Sequence, residues 1–423
     1  MVKPVMNVRD YARLAQNGDW TDAFAEAARD VRAAGGGTLH VPAGIYESRS
    51  IELYSFTTLR LDNGAVIRFF PDPSEYETID MEFEGIPGKA AKPLIFADGA
   101  RSVRVTGEGV LDGNGAGWWR AFRENSLRRA RPSLVCFRNC RDVELSGLTL
   151  VNSPAWTVHP LYCDHVTVRG VTIRNPADSP NTDGINPNGC ADVRIADCLI
   201  DVGDDCIAIK AGTEDTPRKR PCENIIVSGC QMRNGHGGVV IGSETSGCVR
   251  NVLVTGCAFQ GTDRGIRVKT RRGRGGVVEN LSFSQLLMDG VACPLVMNMR
   301  YFCGKGGKEP FVRAHFMPVD EGTPVIRDVE ISGVTAIGVT ACAGFLHGLA
   351  EMPIERVNLS RTTVTLARGF PAYPAMMDGA ERMEARGLYA RNARDIVFSG
   401  VRVVGQSGDA YDLDESVRAK IEG

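Results

Sequence analysis

One phrase recurs ten times along these 423 residues: a leading residue that is often Asn or Asp, then apolar and variable positions in alternation, then frequently a glycine and another apolar residue. It reads SVRVTGEGV from Ser102, in a weaker form, then DVELSGLTL from Asp142, HVTVRGVTI from His165, DVRIADCLI from Asp192 and NIIVSGCQM from Asn224. It continues as NVLVTGCAF from Asn251, NLSFSQLLM from Asn280, DVEISGVTA from Asp328, RVNLSRTTV from Arg356 and DIVFSGVRV from Asp395. Counted on the first apolar residue, Val143 to Val166 is 23 positions; the next steps, to Val193, Ile225, Val252 and Leu281, are 27, 32, 27 and 29. Such self-similarity marks a stack of like units. Alternation over four to six positions is that of short strands. No stretch between copies has the pattern of an amphipathic crossover helix, which excludes βαβ units. What remains is a solenoid with one coil per repeat, an all-β parallel β-helix, read as a single domain over 1–423.

Composition agrees with that architecture. The 48 glycines suit coil corners, and with aromatics at 7% the core must come from smaller aliphatic side chains. A net charge of −2 gives no reason to expect nucleic acid as a partner. No run reaches the roughly 18 apolar residues of a membrane span. The opening, MVKPVMNVRDYARL, lacks the apolar core of a secretory signal. The expected compartment is therefore the cytoplasm, or outside it if a leader has been removed. Thirteen cysteines, with no CxxC pair, read as small buried hydrophobes in a reducing compartment rather than disulfides or zinc ligands. Cys198, Cys230 and Cys257 share one phase of the repeat and are expected to form an interior thiol ladder.

An open solenoid end exposes strand edges, so a cap is required. The segment of about 20–35 supplies one: Thr21 is positioned as N-cap, Ala23, Phe24, Ala27, Ala28 and Val31 form an apolar stripe, and Gly35 ends it. Insertions at about 71–93, 212–221, 301–324 and 368–388 interrupt the rhythm and are expected to be projecting loops.

Four polar clusters fall at turn-to-strand corners of the coils of about 140–300: Asn181-Thr182-Asp183-Gly184, Gly203-Asp204-Asp205-Cys206, Gly235-His236-Gly237-Gly238 and Arg267-Val268-Lys269. Asp183 to Asp204 is 21 residues, close to one coil, so these carboxylates are expected one above the other on one face. Crowded carboxylates cannot all ionise normally, and at least one is expected to be pushed upward. Such a set offers the acid and base that glycosidic cleavage requires. Arg267 and Lys269, two apart on a strand, point the same way; facing outward beside carboxylates, they invite an anionic substrate such as a uronic acid.

In this order and spacing, NTDG, GDDC, GHGG and RVK resemble the NTD, DD, GHG and RIK motifs of the polygalacturonases of glycoside hydrolase family 28, over roughly residues 20–405. The one departure is Val268 for isoleucine. The resemblance implies a right-handed parallel β-helix and hydrolysis of α-1,4 bonds in polygalacturonate or oligogalacturonides, with no metal or other cofactor. It implies Asp204 as general acid, Asp183 and Asp205 as the residues that hold and activate water with inversion at the anomeric carbon, His236 as the residue that tunes them, and Arg267 and Lys269 as binders of the galacturonate carboxylate. The residues alone do not choose the acid among three aspartates.

Weaker candidates surround this set. Asn181 and Asn186 flank Asp183 and are candidate sugar contacts. His159 is placed evenly between substrate contact and a strand position. Arg271, with Arg272 and Arg274, is either a solvated charge run or a further contact to the polyanion. Trp118 and Trp119 are either a stacking surface for sugar rings or corner packing. The missing leader suggests imported oligogalacturonides as substrate, and the insertion 301–324 would favour exo attack by walling off one end. A rhamnogalacturonan hydrolase, a calcium-dependent β-helix lyase and a non-catalytic carbohydrate-binding β-helix are the alternatives.

Overall fold

Every copy of the repeat phrase begins with a residue of positive φ. Ser102, Asp142, His165, Asp192, Asn224, Asn251, Asn280, Asp328, Arg356 and Asp395 all have φ between 50° and 58°. Asn and Asp tolerate this left-handed region because their short polar side chains bond locally, which explains their place at the head of the phrase. The sixth residue also has positive φ and is glycine in seven of the ten copies. At Gly107 the need is steric as well, since a Cβ there would lie 1.9 Å from the Leu61 carbonyl oxygen. Each phrase is thus a strand bounded by two left-handed bends, which is how a chain turns the corner of a coil.

The computed structural model describes residues 4–304 and 315–422. Its contacts cluster into two compact units, Met1–Asp204 and Asp205–Gly423. In the first, three parallel ladders run from coil to coil. One joins Gly37–Val41, Thr57–Leu61, Arg101–Gly107, Arg141–Ser146, Asp164–Arg169 and Ala191–Ala196. A second joins Gly44–Ser48, Ala65–Phe69, Val110–Asp112, Thr149–Val151, Thr172–Arg174 and Leu199–Val202. The third joins Ile51–Glu52, Ile95–Asp98, Val135–Arg138 and Val158–Leu161. The second unit repeats the scheme. Its phrase ladder passes through Cys222–Ser228, Val249–Thr255, Val277–Asp289, Val325–Val339, Ile354–Leu366 and Ala393–Val404. Its site-bearing ladder passes through Ile207–Ile209, Val239–Gly242, Arg264–Lys269, Cys293–Asn298, Cys342–His347 and Arg386–Arg391.

The register is the one counted in the sequence: Val143 pairs Val166, Val166 pairs Val193, Ile225 pairs Val252 and Val252 pairs Leu281. These side chains are buried. Each aliphatic residue so stacked contributes about 1.5–3 kcal/mol of burial, and a one-residue slip would turn the whole row outward. The thiols follow the same logic. Cys257 hydrogen-bonds Cys230, and Cys198 is buried at the equivalent phase. A second row, Cys140, Cys163 and Cys190, was not foreseen, although its steps of 23 and 27 equal those of the phrase. All thirteen cysteines are free, and eleven are buried.

Helix α1, Thr21–Ala33, buries the expected Ala23, Phe24, Ala27, Ala28 and Val31. Its cap differs from expectation. Asp19, not Thr21, accepts from the Thr21 amide at 2.9 Å, while the Thr21 hydroxyl accepts from the Arg49 amide at 2.9 Å and ties the helix start to the coil. The 71–93 insertion contains an antiparallel hairpin, Thr78–Phe83 with Ile86–Ala91, rather than open loop alone. Trp118 and Trp119 lie in a second helix, α2, Ala116–Arg123, and are 0% and 8% exposed. Trp118 packs against Tyr76 and Trp119 Nε1 donates to the Ser153 carbonyl at 3.0 Å, so of the two readings corner packing is the one observed. The 212–221 and 368–388 insertions are largely irregular, as expected, and residues 305–314 of the 301–324 insertion lie outside the described residues.

Candidate active site

In the first unit the segment 175–183 is knitted from within. Asn175 accepts from the Ser153 amide at 2.8 Å and donates to the Thr157 hydroxyl at 2.8 Å and the Thr182 carbonyl at 3.2 Å. The Asp183 carbonyl accepts from the Thr157 amide at 2.8 Å, fixing its backbone to the preceding coil. The Asp183 side chain is 3% exposed and accepts from Asn186 Nδ2 at 3.1 Å; Asn186 is fully buried. Asn186 therefore positions Asp183, whatever else it touches. Asp204 sits on a corner where Gly203 is obligatory, because a Cβ there would lie 2.7 Å from two carbonyl oxygens, those of Pro176 and Ser179. Asp204 is only partly buried, and its carboxylate lies within 4.8 Å of that of Asp183. A buried and an accessible carboxylate thus face one another, as the 21-residue spacing implied.

Arg131 was not anticipated. It is 3% exposed and donates to the Pro154 and Pro180 carbonyls at 2.9 and 2.7 Å and to Asn181 Oδ1 at 2.6 Å. Burial lowers its pKa to about 10, against the opposing fields of Glu84, Asp183 and Asp204. It is a buried cation whose charge acts on Asp183 and Asp204. The run RARPSL gave no sign of it, since the arginine lies outside all four motifs.

Asp205 is the next residue after Asp204 and begins the second unit. It is 1% exposed. Lys269 Nζ donates to its Oδ2 at 2.7 Å and Arg267 Nη1 to its Oδ1 at 3.2 Å. Burial alone would raise its pKa, but the fields of Lys269, Arg267 and Lys210 outweigh it and hold Asp205 well below the ordinary carboxylate range. The expected upward push is thus absent at this aspartate. Arg267 and Lys269 are 2% and 6% exposed. They are not the outward-facing pair expected, because Asp205 turns both inward. Tyr301 lies across them, its ring centre 5.5 Å from Arg267 Cζ and 5.1 Å from Lys269 Nζ. Lys210 was also missed, although IAIK ends its strand in the phase in which RVK ends the later one.

The glycines around His236 let the chain pass close to this cluster. A Cβ on Gly237 would meet Asp205 Oδ1 at 3.2 Å and a Val240 methyl at 2.4 Å. The Gly237 and Gly238 carbonyls accept from the Cys206 and Ile207 amides at 2.8 and 3.0 Å. His236 is exposed, and its carbonyl accepts from Arg267 Nη1 at 3.4 Å.

Among the weaker candidates, Asn181 is held by Arg131 at the edge of the Asp183 corner. His159 is 1% exposed, edge-on to Trp156 with ring centres 4.8 Å apart. Arg271 is 1% exposed and binds Glu214 at 2.7 Å; Arg274 pairs with the same glutamate, and Arg272 with Glu351. The basic run is therefore a buried, ion-paired seam and not the solvated face considered for it, because Glu214 reaches it from the 212–221 insertion. The carboxylates of Asp183 and Asp204 are close enough to share a cation, whereas Asp205 already faces two cationic side chains.

Paired aspartates at adjoining corners of a parallel β-helix offer the two carboxyl groups that glycosidic cleavage requires. The sequence profile described as "Glycosyl hydrolases family 28" matches residues 80–341. A probable polygalacturonase from Vitis vinifera is 33% identical over 359 residues, covering 82% of this chain and 71% of that protein. An endo-polygalacturonase from Pectobacterium carotovorum subsp. carotovorum is 29% identical over 283 residues, 63% of this chain and 68% of the other. The crystal structure of a hyperthermoactive exopolygalacturonase from Thermotoga maritima superimposes with a TM-score of 0.76 at 28% identity, covering 95% of this chain and 93% of that one. The chain belongs to glycoside hydrolase family 28. Its fold is the right-handed parallel β-helix, and it is an enzyme, a glycoside hydrolase.

Proposed function

We propose that this hydrolase cuts α-1,4 bonds between galacturonic acid residues in polygalacturonate or oligogalacturonides, with Asp204 as general acid and Asp183 and Asp205 acting on the water. One observation carries the reading: Asp204 is the accessible carboxylate within 4.8 Å of the buried Asp183, and the next residue in sequence, Asp205, is fixed as an anion by Lys269 and Arg267. An acid that must reach the leaving oxygen needs access; a group that holds water needs fixed charge and geometry. Arg267 and Lys269, held together beside Asp205, would bind the galacturonate carboxylate, as the family resemblance implies. His236 would tune this cluster, with Asn181, Asn186, His159 and Arg271 as supporting residues. Asp204→Asn should lower kcat on polygalacturonate by at least ~1,000-fold with KM little changed; full retention of hydrolysis would sink the assignment.

Inversion rests on the family resemblance. The anomer first seen by proton NMR tests it. Exo action is supported by the likeness to the Thermotoga maritima exopolygalacturonase, while the Pectobacterium carotovorum relative is endo-acting by description. Free cysteines throughout support cytoplasmic placement, which cell fractionation would test. One continuous domain over 1–423 is the accompanying proposal, to be tested by the cooperativity of unfolding.

A further inference from the structure

The second unit buries one ion pair that the proposed chemistry does not use. Lys210 and Glu244 are each 5% exposed, and Lys210 Nζ donates to Glu244 Oε2 at 3.0 Å. The backbone ties the same two segments, since the Ala211 amide donates to the Glu244 carbonyl at 2.7 Å. A buried ion pair is weak evidence for stability, because desolvating two charges offsets much of their attraction. The position of this one suggests another use. Ile209 pairs Ile241, and the residue after Ile241, Gly242, pairs Lys269. Lys210 and Lys269 thus end their strands in one phase, with no side chain between them on the middle strand. None would fit there: a Cβ on Gly242 would lie 2.1 Å from the Lys269 carbonyl oxygen. Lys269 donates to Asp205 Oδ2 at 2.7 Å, and Lys210 is the third cation, after Lys269 and Arg267, whose field acts on that carboxylate. Glu244 answers to the same group. Burial would raise its pKa, but Lys210, Arg274 and Lys269 outweigh burial and hold it below the ordinary carboxylate range. Lys210 therefore serves two buried carboxylates, by a direct bond to Glu244 and by its field on Asp205. Three cations gathered on Asp205 alone would repel one another; Glu244 supplies the second anion that balances the third cation.

We propose that Lys210, steered by Glu244, is a positioning residue of the hydrolysis: its charge keeps Asp205 and Lys269 in the arrangement in which the carboxylate meets the water. In this role it binds no sugar, so it acts on turnover and not on substrate affinity. The proposal rests on the reading in which Asp205 acts on the water during cleavage of galacturonan.

The test compares Lys210→Met, Lys210→Arg and the double variant Lys210→Met/Glu244→Gln, each assayed on polygalacturonate and unfolded in urea. In Lys210→Met kcat should fall about 10- to 100-fold, the size of one lost charge-assisted contact, with KM within about twofold of the native value. Lys210→Arg keeps the charge and should recover part of the kcat. The double variant removes both members of the pair and leaves neither charge behind. It should regain stability lost in Lys210→Met while kcat stays low. Recovery of kcat together with stability would show that the pair serves only the fold and would overturn the proposal. An unchanged kcat in Lys210→Met, or a rise in KM alone, would overturn it too. If the native protein releases no reducing ends from polygalacturonate, the galacturonan reading itself fails. Urea unfolding of Lys210→Met in the native and Asp205→Asn backgrounds then still tests the link between the two residues. A smaller loss of midpoint in the Asp205→Asn background supports it, and equal losses in both overturn it.

Discussion

Asp205 is a buried anion that exists because two buried cations share it. Taking away one member of such a set leaves charge in a medium that does not solvate it, and the cost is about 3–5 kcal/mol. Asp205→Asn should therefore destabilise the protein by about that amount in urea unfolding, besides lowering activity. A variant as stable as the native chain would show that the cluster contributes nothing to the fold. The pH dependence has a definite sign. Because the folded-state pKa of Asp205 is depressed, its contribution is complete above the unfolded value of roughly 4 and is lost only as pH falls toward the lower folded value. Native protein should thus lose stability more steeply than Asp205→Asn on acidification below about pH 4, as followed by thermal melts at stepped pH. The aspartates, His236 and the Arg267/Lys269 pair were all legible as residues. Their orientation was not, because period-two alternation says that two cations share a side without saying which carboxylate waits there. Arg131 was illegible for a related reason: its partners are backbone carbonyls of Pro154 and Pro180, which carry no signature in sequence.

At the scale of the element, left-handed corners set the coil. Asn251 has φ of 57° and lies in an exposed asparagine row, donating to Asn224 Oδ1 at 3.0 Å and accepting from Asn280 at 3.3 Å. A β-branched residue in this conformation costs ~1–2 kcal/mol, whereas glycine adopts it freely. Asn251→Val should lower stability by about 1–2 kcal/mol and Asn251→Gly by clearly less; equal losses would mean that the hydrogen bonds, not the backbone, decide. The strands and their register could be counted in advance because inward rows repeat the same apolar residue. Helix α2, at eight residues, is too short to declare a helical period. The hairpin was hidden because its strands, TIDMEF and IPGKAA, carry no regular inward and outward alternation of burial. Arg271 and Arg274 misled for a different reason, since their partner Glu214 lies some sixty residues away in an insertion.

For the molecule as a whole, four short motifs in order along an independently counted repeat were enough to reach the family. The proposed chemistry uses aspartates and water, so incubation with EDTA should leave hydrolysis unchanged; abolition, restored by calcium, would favour a lyase. The most direct measurement follows the earliest products of polygalacturonate by chromatography with ultraviolet detection, for native protein and Asp204→Asn side by side. The account predicts saturated galacturonate or oligogalacturonates, each cleavage giving one reducing end, and almost none from the variant. Unsaturated, ultraviolet-absorbing products, or equal release from native protein and variant, would contradict it.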